Sequence, residues 1–300
     1  MTVHGGRVFE AAAILGCDVA DIADLSASLN MFAPDVAAIV AHHARRAVPY
    51  PDPTAATAAM ASALDVDTDL LVLTNGASEA IALVAALHPV GDVVDPEFSQ
   101  YRRHLAEVRP GAMRWRSNPS APRGRLAAPD DTAAVWDESY YALATGRWTR
   151  GDATSWRIAS LTKVWRCAGL RLGYVIAPTP ADADAVRRLQ PEWSVNGLAL
   201  AVVEELAGTS DLERWATQIA ESRRTLVREL FDRGLAAIDT EANWILIDDA
   251  GWLVEPLFRE RILVRELGNY ALPGKVRIAA PDDATLDRLL TAIDRALNAR

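Results

Sequence analysis

Three hundred residues, 50% hydrophobic and 24% charged, suffice for one large folded unit or two modest ones with well-filled cores. A net charge of −9 with no offsetting basic block argues against a nucleic-acid partner, since His42-His43-Ala44-Arg45-Arg46 is too short to act as a patch. No run of ~18 uncharged apolar residues is present to span a membrane, and Arg7, Glu10 and Asp18 come too early for a secretion signal.

Residues 8–15 carry helical apolar spacing, and 24–30 are extended in character. A helix is expected over 34–48, ending in the rigid Pro49-Tyr50-Pro51-Asp52-Pro53 turn, and another over 55–64. An alternation then begins. Strands are expected at 70–73, 92–94, 112–116, 133–136, 156–160 and 174–177, with helices at 80–87 and 101–108. These short apolar runs are of the kind buried on both faces, so a mainly parallel sheet covered by helices is expected. Helices at 181–189, 198–206 and 211–234 lead to strands at 243–247, 262–264 and 275–279 and a closing helix at 282–298. The changed pattern after Gly234 suggests a second, smaller α+β unit, completed by the N-terminal segment. Cys17 and Cys167 are far apart, which predicts no disulfide framework and a reducing cytoplasm. The five histidines lie at no zinc-ligand spacing with them, so no metal is expected.

Three stretches carry chemistry. Asn75-Gly76-Ala77-Ser78-Glu79, between a strand and a helix, aims backbone N–H groups and the helix dipole at one point. That is a phosphate cradle, or an ordinary helix N-terminus. Asp137, in Trp136-Asp137-Glu138-Ser139-Tyr140, ends an apolar strand, where open α/β sheets bind ligands. An acid there suits a protonated ring nitrogen, or caps the next segment. In the stretch from Ser160 to Tyr174, Lys163 lies beside Thr162, and Arg171 follows eight residues later. A lysine that attacks a carbonyl must lose its proton, which a partly desolvated, cation-rich pocket favours; hydroxyls and an arginine also make an anion site.

Cradle, strand-end aspartate, Ser-x-x-Lys and arginine, in this order, resemble the pyridoxal-phosphate (PLP) enzymes of the aspartate aminotransferase fold. Within them the chain resembles the L-threonine-O-3-phosphate decarboxylases of cobalamin synthesis and their near relatives, the histidinol-phosphate aminotransferases. The resemblance covers nearly the whole chain. It rests on His4-Gly5-Gly6, DLSASLN (24–30), YPDP (50–53), TNGASEAI (74–81), DPEFSQYRR (95–103), DESY (137–140), the 160–174 stretch, WSVNGLA (193–199), ANWILI (242–247) and KVRIA (275–279). It implies an α/β, fold-type I architecture: a three-layer αβα large domain over residues 40–205 with a mainly parallel sheet, and a smaller α+β domain from 1–39 and 206–300.

The same resemblance implies roles. Lys163 is the Schiff-base lysine, Asp137 the partner of the pyridine nitrogen and Tyr140 the donor to the ring oxygen. Ala77, Ser78, Ser160, Thr162 and Arg171 hold the cofactor phosphate, and Phe98 stacks on the ring. Tyr50 reaches the phosphate in the neighbouring subunit of a homodimer with shared active sites. His4, Asn30, Asn196, Arg265 and Arg277 are substrate contacts. The arginine at 277 clamps a carboxylate in the aminotransferases and the substrate phosphate in the decarboxylases, so it leaves both reactions open; His4 and Arg265 favour the second. One departure stands out. Where the family has a paired asparagine that touches the cofactor oxygen, Asn118-Pro119-Ser120-Ala121-Pro122 aligns Ala121, with Asn118 the candidate stand-in. The expected activity is decarboxylation of L-threonine O-3-phosphate to (R)-1-amino-2-propanol phosphate. The alternatives are an aminotransferase of the histidinol-phosphate type and a PLP-binding protein with weakened catalysis.

Overall fold

The structure, a computed structural model, describes residues 5–300. Helix α1 (Val8–Leu15) ends at Gly16, whose left-handed backbone closes it, and strand β1 (Ala23–Asp24) follows. The helix expected over 34–48 is shorter: α2 (Val36–His42) gives way to a 3-10 turn, where Arg46 swings out to grip Glu204 at 2.7 and 2.6 Å. Then come α3 (Thr54–Leu64), β2 (Leu71–Thr74), α4 (Ala77–Leu87), β3 (Val90–Asp92), α5 (Ser99–His104), β4 (Glu107–Val108), β5 (Met113–Ser117) and β6 (Val135–Asp137). After α6 (Tyr141–Thr145), β7 (Trp156–Ser160), α7 (Leu161–Val164) and β8 (Gly173–Ile176), the chain continues as α8 (Pro180–Leu189), α9 (Gly197–Leu206) and α10 (Leu212–Asp232). The last third holds β9 (Ala237–Ile238), β10 (Trp244–Ile247), α11 (Val254–Arg259), β11 (Ile262–Leu263), β12 (Arg265–Glu266), β13 (Val276–Ala279) and α12 (Asp283–Asn298). The helix expected over 101–108 stops at His104, because the N–H groups of Ala106 and Glu107 turn to the Pro89 carbonyl and start an edge strand. Tertiary pairing overrides local propensity there.

The first sheet has seven strands in the order β2-β8-β7-β6-β5-β3-β4. All run parallel except β8, which is antiparallel to β2 and β7. Every residue of β2, β6, β7 and β8 is buried, as a sheet covered on both faces requires. The strand period of two divides these residues between two cores. Leu71, Leu73, Tyr174 and Ile176 face α3 and α9, while Val72, Val175 and Ile158 face α4 and α8. The second sheet, β12-β13-β10-β9, is antiparallel. Its core takes Leu226 and Leu230 of α10, Leu257 of α11 and Leu289 and Ile293 of α12.

Two elements tie the halves together. β1 pairs in parallel with β11, and Leu25 beyond it is fully buried in the second core. The 21-residue α10 places Trp215 and Ile219 in the first core and its later leucines in the second.

The strand ends of β2, β5, β6 and β7 lie at one edge of the large sheet, and the start of β8 joins them. Gly173, first in β8, is packed so closely that a Cβ would lie 2.7 Å from Ala77 N, Gly76 C and Ala159 O. Gly173→Ala is therefore expected to cost about 1–3 kcal/mol, the usual range for overpacking, read as a lowered urea midpoint with an unchanged slope.

Candidate functional site

At that edge a cavity of about 350 Å³ opens between the two sheets. Strands of the large sheet supply Asp137 and Ser160, α7 supplies Thr162 and Lys163, the turn before β8 supplies Arg171, and the start of α4 adds Ala77 and Ser78. Phe98 and Arg103 come from α5 and its cap, and the smaller sheet adds Arg265 and Arg277. A larger cavity, about 770 Å³, lies between α1 and α11 and meets this one at Gly5, Ser26 and Arg265. The smaller cavity collects the chemistry.

One end is an anion cradle. Gly76 caps α4 in a left-handed conformation (φ 76°), which lets the Arg171 guanidinium come close: a Cβ on Gly76 would lie 2.6 Å from its Nη2. Arg171 itself has φ 59°, uncommon for a side chain with a Cβ. The first N–H groups of α4, at Ala77 and Ser78, bond nothing in the described chain and point outward with the helix dipole. The Ser160 and Thr162 hydroxyls bond each other, which leaves one of the two protons free to turn to a ligand.

Asp137 lies at the centre. Its two oxygens accept Tyr101 Oη–H at 2.8 Å and Ser139 N–H at 3.0 Å, which leaves lone pairs on both. Burial pushes its carboxyl above the ordinary aspartate range, while the Ser139 and Tyr101 hydrogen bonds and the Lys163 charge pull it back. Lys163 Nζ donates to Ala27 O at 3.0 Å and lies 5.8 Å from the centre of the Tyr140 ring. Tyr140 is held edge-on against Trp244.

The far end is cationic. Arg265 and Arg277 are direct partners across β12 and β13, so both side chains leave the same face. Both are buried; Arg277 Nη2 donates to Ser26 O at 3.2 Å, and its Nε has no partner among the described residues. Burial and the Arg277 charge lower the Arg265 proton affinity.

Eleven of the fifteen residues singled out in the sequence line this cavity. Tyr50 does not: it is 77% exposed and stacks on Trp193, 4.4 Å between ring centres. Asn30 and Asn196 do not reach it either, because their amides are spent on the backbone. Asn30 Nδ2 donates to Val164 O and its Oδ1 accepts Phe32 N–H; Asn196 caps α9 and donates to Leu170 O. Both brace the lysine segment instead of facing a ligand. His4 lies outside the described residues. Ala121 lines the cavity, whereas Asn118 does not: it is buried behind it, with its Oδ1 accepting Ala127 N–H. The sequence reading did not single out Tyr101, Glu97, Ser117, Gln100, Arg103 or Tyr270. The i, i+3 spacing of Gln100 and Arg103 on a short helix after Phe98 was the available signal; nothing local marks the others. Among the described residues no three metal-ligating side chains converge, and no helix is long and apolar enough to cross a membrane.

Comparison with known proteins places the arrangement. A family model for class I and II aminotransferases matches residues 118–293. Histidinol-phosphate aminotransferase 1 of Cupriavidus pinatubonensis is 26% identical over 98% of this chain and 93% of its own. The structure of histidinol-phosphate aminotransferase from Sinorhizobium meliloti in complex with pyridoxal-5'-phosphate superposes with a TM-score of 0.82 at 20% identity, covering 99% of this chain and 96% of that one. L-Threonine-O-3-phosphate decarboxylase from Porphyromonas gingivalis gives 0.74 at 19% identity, over 92% and 100%. At these identities the two structures share the fold, which is the αβα arrangement with a smaller α+β part that the motifs predict.

Glu138, beside Asp137 but on the opposite face of the strand, gives a pH test of this edge. Burial pushes its carboxyl up to about 7 from an ordinary 4.5, against the opposing pull of Thr149 and Arg150. A raised carboxyl stabilises the fold fully below about pH 4.5, and that contribution is lost as pH rises through about 7. Glu138→Gln is expected to remove a loss on the order of 3 kcal/mol across that window. Urea midpoints measured from pH 4.5 to 7.5 should fall less steeply in the variant than in the parent.

Proposed function

The chain belongs to the family of class I and II aminotransferases, and from that premise we propose that it decarboxylates L-threonine O-3-phosphate to (R)-1-amino-2-propanol phosphate, a step of cobalamin biosynthesis. Its cofactor is pyridoxal 5'-phosphate. The cavity fits that molecule: a cradle of unpaired N–H groups with Arg171 at one end, and a buried aspartate with spare lone pairs in the middle. In this reading Ala77, Ser78, Ser160, Thr162 and Arg171 hold the phosphate, Asp137 the ring nitrogen, Tyr140 the ring oxygen and Lys163 the carbonyl carbon. Phe98 covers one face of the ring. When bound, the cofactor supplies a conjugated pyridinium able to accept the electron pair of a Cα bond standing across its plane.

The observation that supports a phosphorylated substrate is the Arg265–Arg277 pair. Two guanidinium groups that leave the same face of the small sheet, directly opposite each other, suit the fork geometry and charge of a dianion. A substrate phosphate has that charge. With both guanidinium groups on the phosphate, neither clamps the carboxylate, so the Cα–carboxylate bond is the one left free to stand across the ring. Lys163, whose Nζ would hold the cofactor's carbonyl carbon, is the group in the cavity that would return a proton to Cα. The exposed Tyr50, stacked on Trp193, serves the neighbouring subunit's site in a cytoplasmic homodimer. We place the domain boundaries at residues 40–205 for the large domain, with 1–39 and 206–300 forming the small one.

Transamination of a histidinol-phosphate-like amine is the second reading, favoured by relatives such as the Cupriavidus enzyme that match over almost their whole length. Product analysis separates the two. Carbon dioxide release from threonine phosphate without a keto-acid acceptor is expected; turnover that requires 2-oxoglutarate and evolves no gas would sink the decarboxylase. Lys163→Ala should abolish trapping of the cofactor by borohydride. If the missing amide at Ala121 weakens catalysis, Ala121→Asn should raise kcat several-fold, and an unchanged kcat disposes of that third reading.

A further inference from the structure

A second carboxylate lies beneath the cavity. Glu97 is 8% exposed, although it sits in the loop just before α5, where a charged side chain could have faced water. Its Oε1 accepts Phe98 N–H at 2.8 Å and the Ser117 hydroxyl at 2.5 Å, and its Oε2 accepts Ser117 N–H at 3.0 Å. Ser117 is the register partner of Asp137 across β5 and β6, and its hydroxyl in turn accepts Ala121 N–H at 2.7 Å. Glu97 thus touches the backbone of the stacking residue, the strand beside the aspartate and the loop that carries the unusual alanine.

We propose that Glu97 is a positioning residue that acts through Asp137, adding a second negative charge beneath the cofactor ring and so favouring its protonated, electron-accepting form. The proposal rests on the pyridoxal-phosphate reading. Two buried carboxylates linked through one register pair, Glu97 on Ser117 and Ser117 opposite Asp137, repel each other, and a cation beside them is held more tightly. Burial pushes the Glu97 carboxyl up to about 6, opposed by its bonds to Ser117 and Phe98 and reinforced by the Asp137 charge. The groups facing it are Asp137 on β6, Tyr101 on α5, which feels both carboxylates, and Tyr270 after β12, itself beside Arg265 and Arg277. Lys163 acts on the cluster through Asp137. A purely structural clamp would need the hydrogen bonds and not the charge, and that difference can be measured.

The test is a pH titration of the absorbance of bound pyridoxal phosphate in the holoenzyme, compared among wild type, Glu97→Gln and Ser117→Ala. Glu97→Gln removes the charge and is expected to move the colour-change midpoint down by about one pH unit, the effect of one like charge at short range in a partly screened interior. Ser117→Ala removes part of the clamp, keeps the charge and should move the midpoint by less than a third of that. An unmoved midpoint in Glu97→Gln, or an equal shift in Ser117→Ala, overturns the proposal. Should Glu97→Gln not fold, wild type alone decides: a second inflection near pH 6 is expected as Glu97 ionises, and a single-step titration overturns it. A wild-type protein that stays colourless with added pyridoxal phosphate sinks the cofactor reading and this proposal together, whereas a coloured protein with an unmoved midpoint sinks this proposal alone.

Discussion

The structure depends on keeping a carboxylate dry at the end of its central strand. Asp137 is buried where burial disfavours its charge, and only a cation above it and donors around it make that tolerable. Tyr101 and Ser139 supply the donors and Lys163 the nearby charge, from α5, the β6–α6 turn and α7. The large sheet brings them together because β5, β6 and β7 are parallel and end at the same edge. An antiparallel arrangement would have sent alternate strand ends to opposite sides.

The two sheets then divide the work. The large one provides the cradle, the aspartate and the lysine; the small one provides the paired arginines. Between them runs the 26–28 strap, whose Ser26 and Ala27 carbonyls accept from Arg277 and Lys163. These carbonyls partly satisfy two cations that a ligand would otherwise have to find bare. The strap is fixed in turn by Asn243, which donates to Ser28 O, and by the close approach of Gly5 to Ser26. N-terminal, central and C-terminal segments therefore all contribute to one cavity, and α10 with the β1–β11 pair keeps the halves in register.

The loop after β5 shows how the protein deals with its most unusual residue. Ala121 lines the cavity with no polar side-chain atom, and Asn118 lies outside the lining with its Oδ1 on Ala127 N–H. Polarity appears one layer lower, in the chain from Glu97 through Ser117 to Ala121 N–H.

Local pattern was enough for much of this. The alternation of short apolar strands with helices signalled a covered parallel sheet, because residues buried on both faces cannot alternate with polar ones. Glycine at 76 before a helix, a strand-end aspartate and a lysine beside two hydroxyl residues are chemical requirements that remain visible in one dimension. Element ends were less legible: the strand at Glu107–Val108 exists because a carbonyl from Pro89 is waiting there, not because of its own residues.

Tertiary structure alone decided the rest. Burial separates Glu97 from the many solvated glutamates it resembles in sequence, and register sets Arg265 against Arg277 across twelve residues of chain. It also moved Asn30 and Asn196 from ligand contacts to braces, since an amide's partners depend on which backbone groups packing leaves unpaired. What a residue can do chemically was determined by its type and its neighbours in sequence. Which charges share a dry space was determined by the fold, because electrostatic cost depends on distance and exposure, and neither is written in the order of the residues.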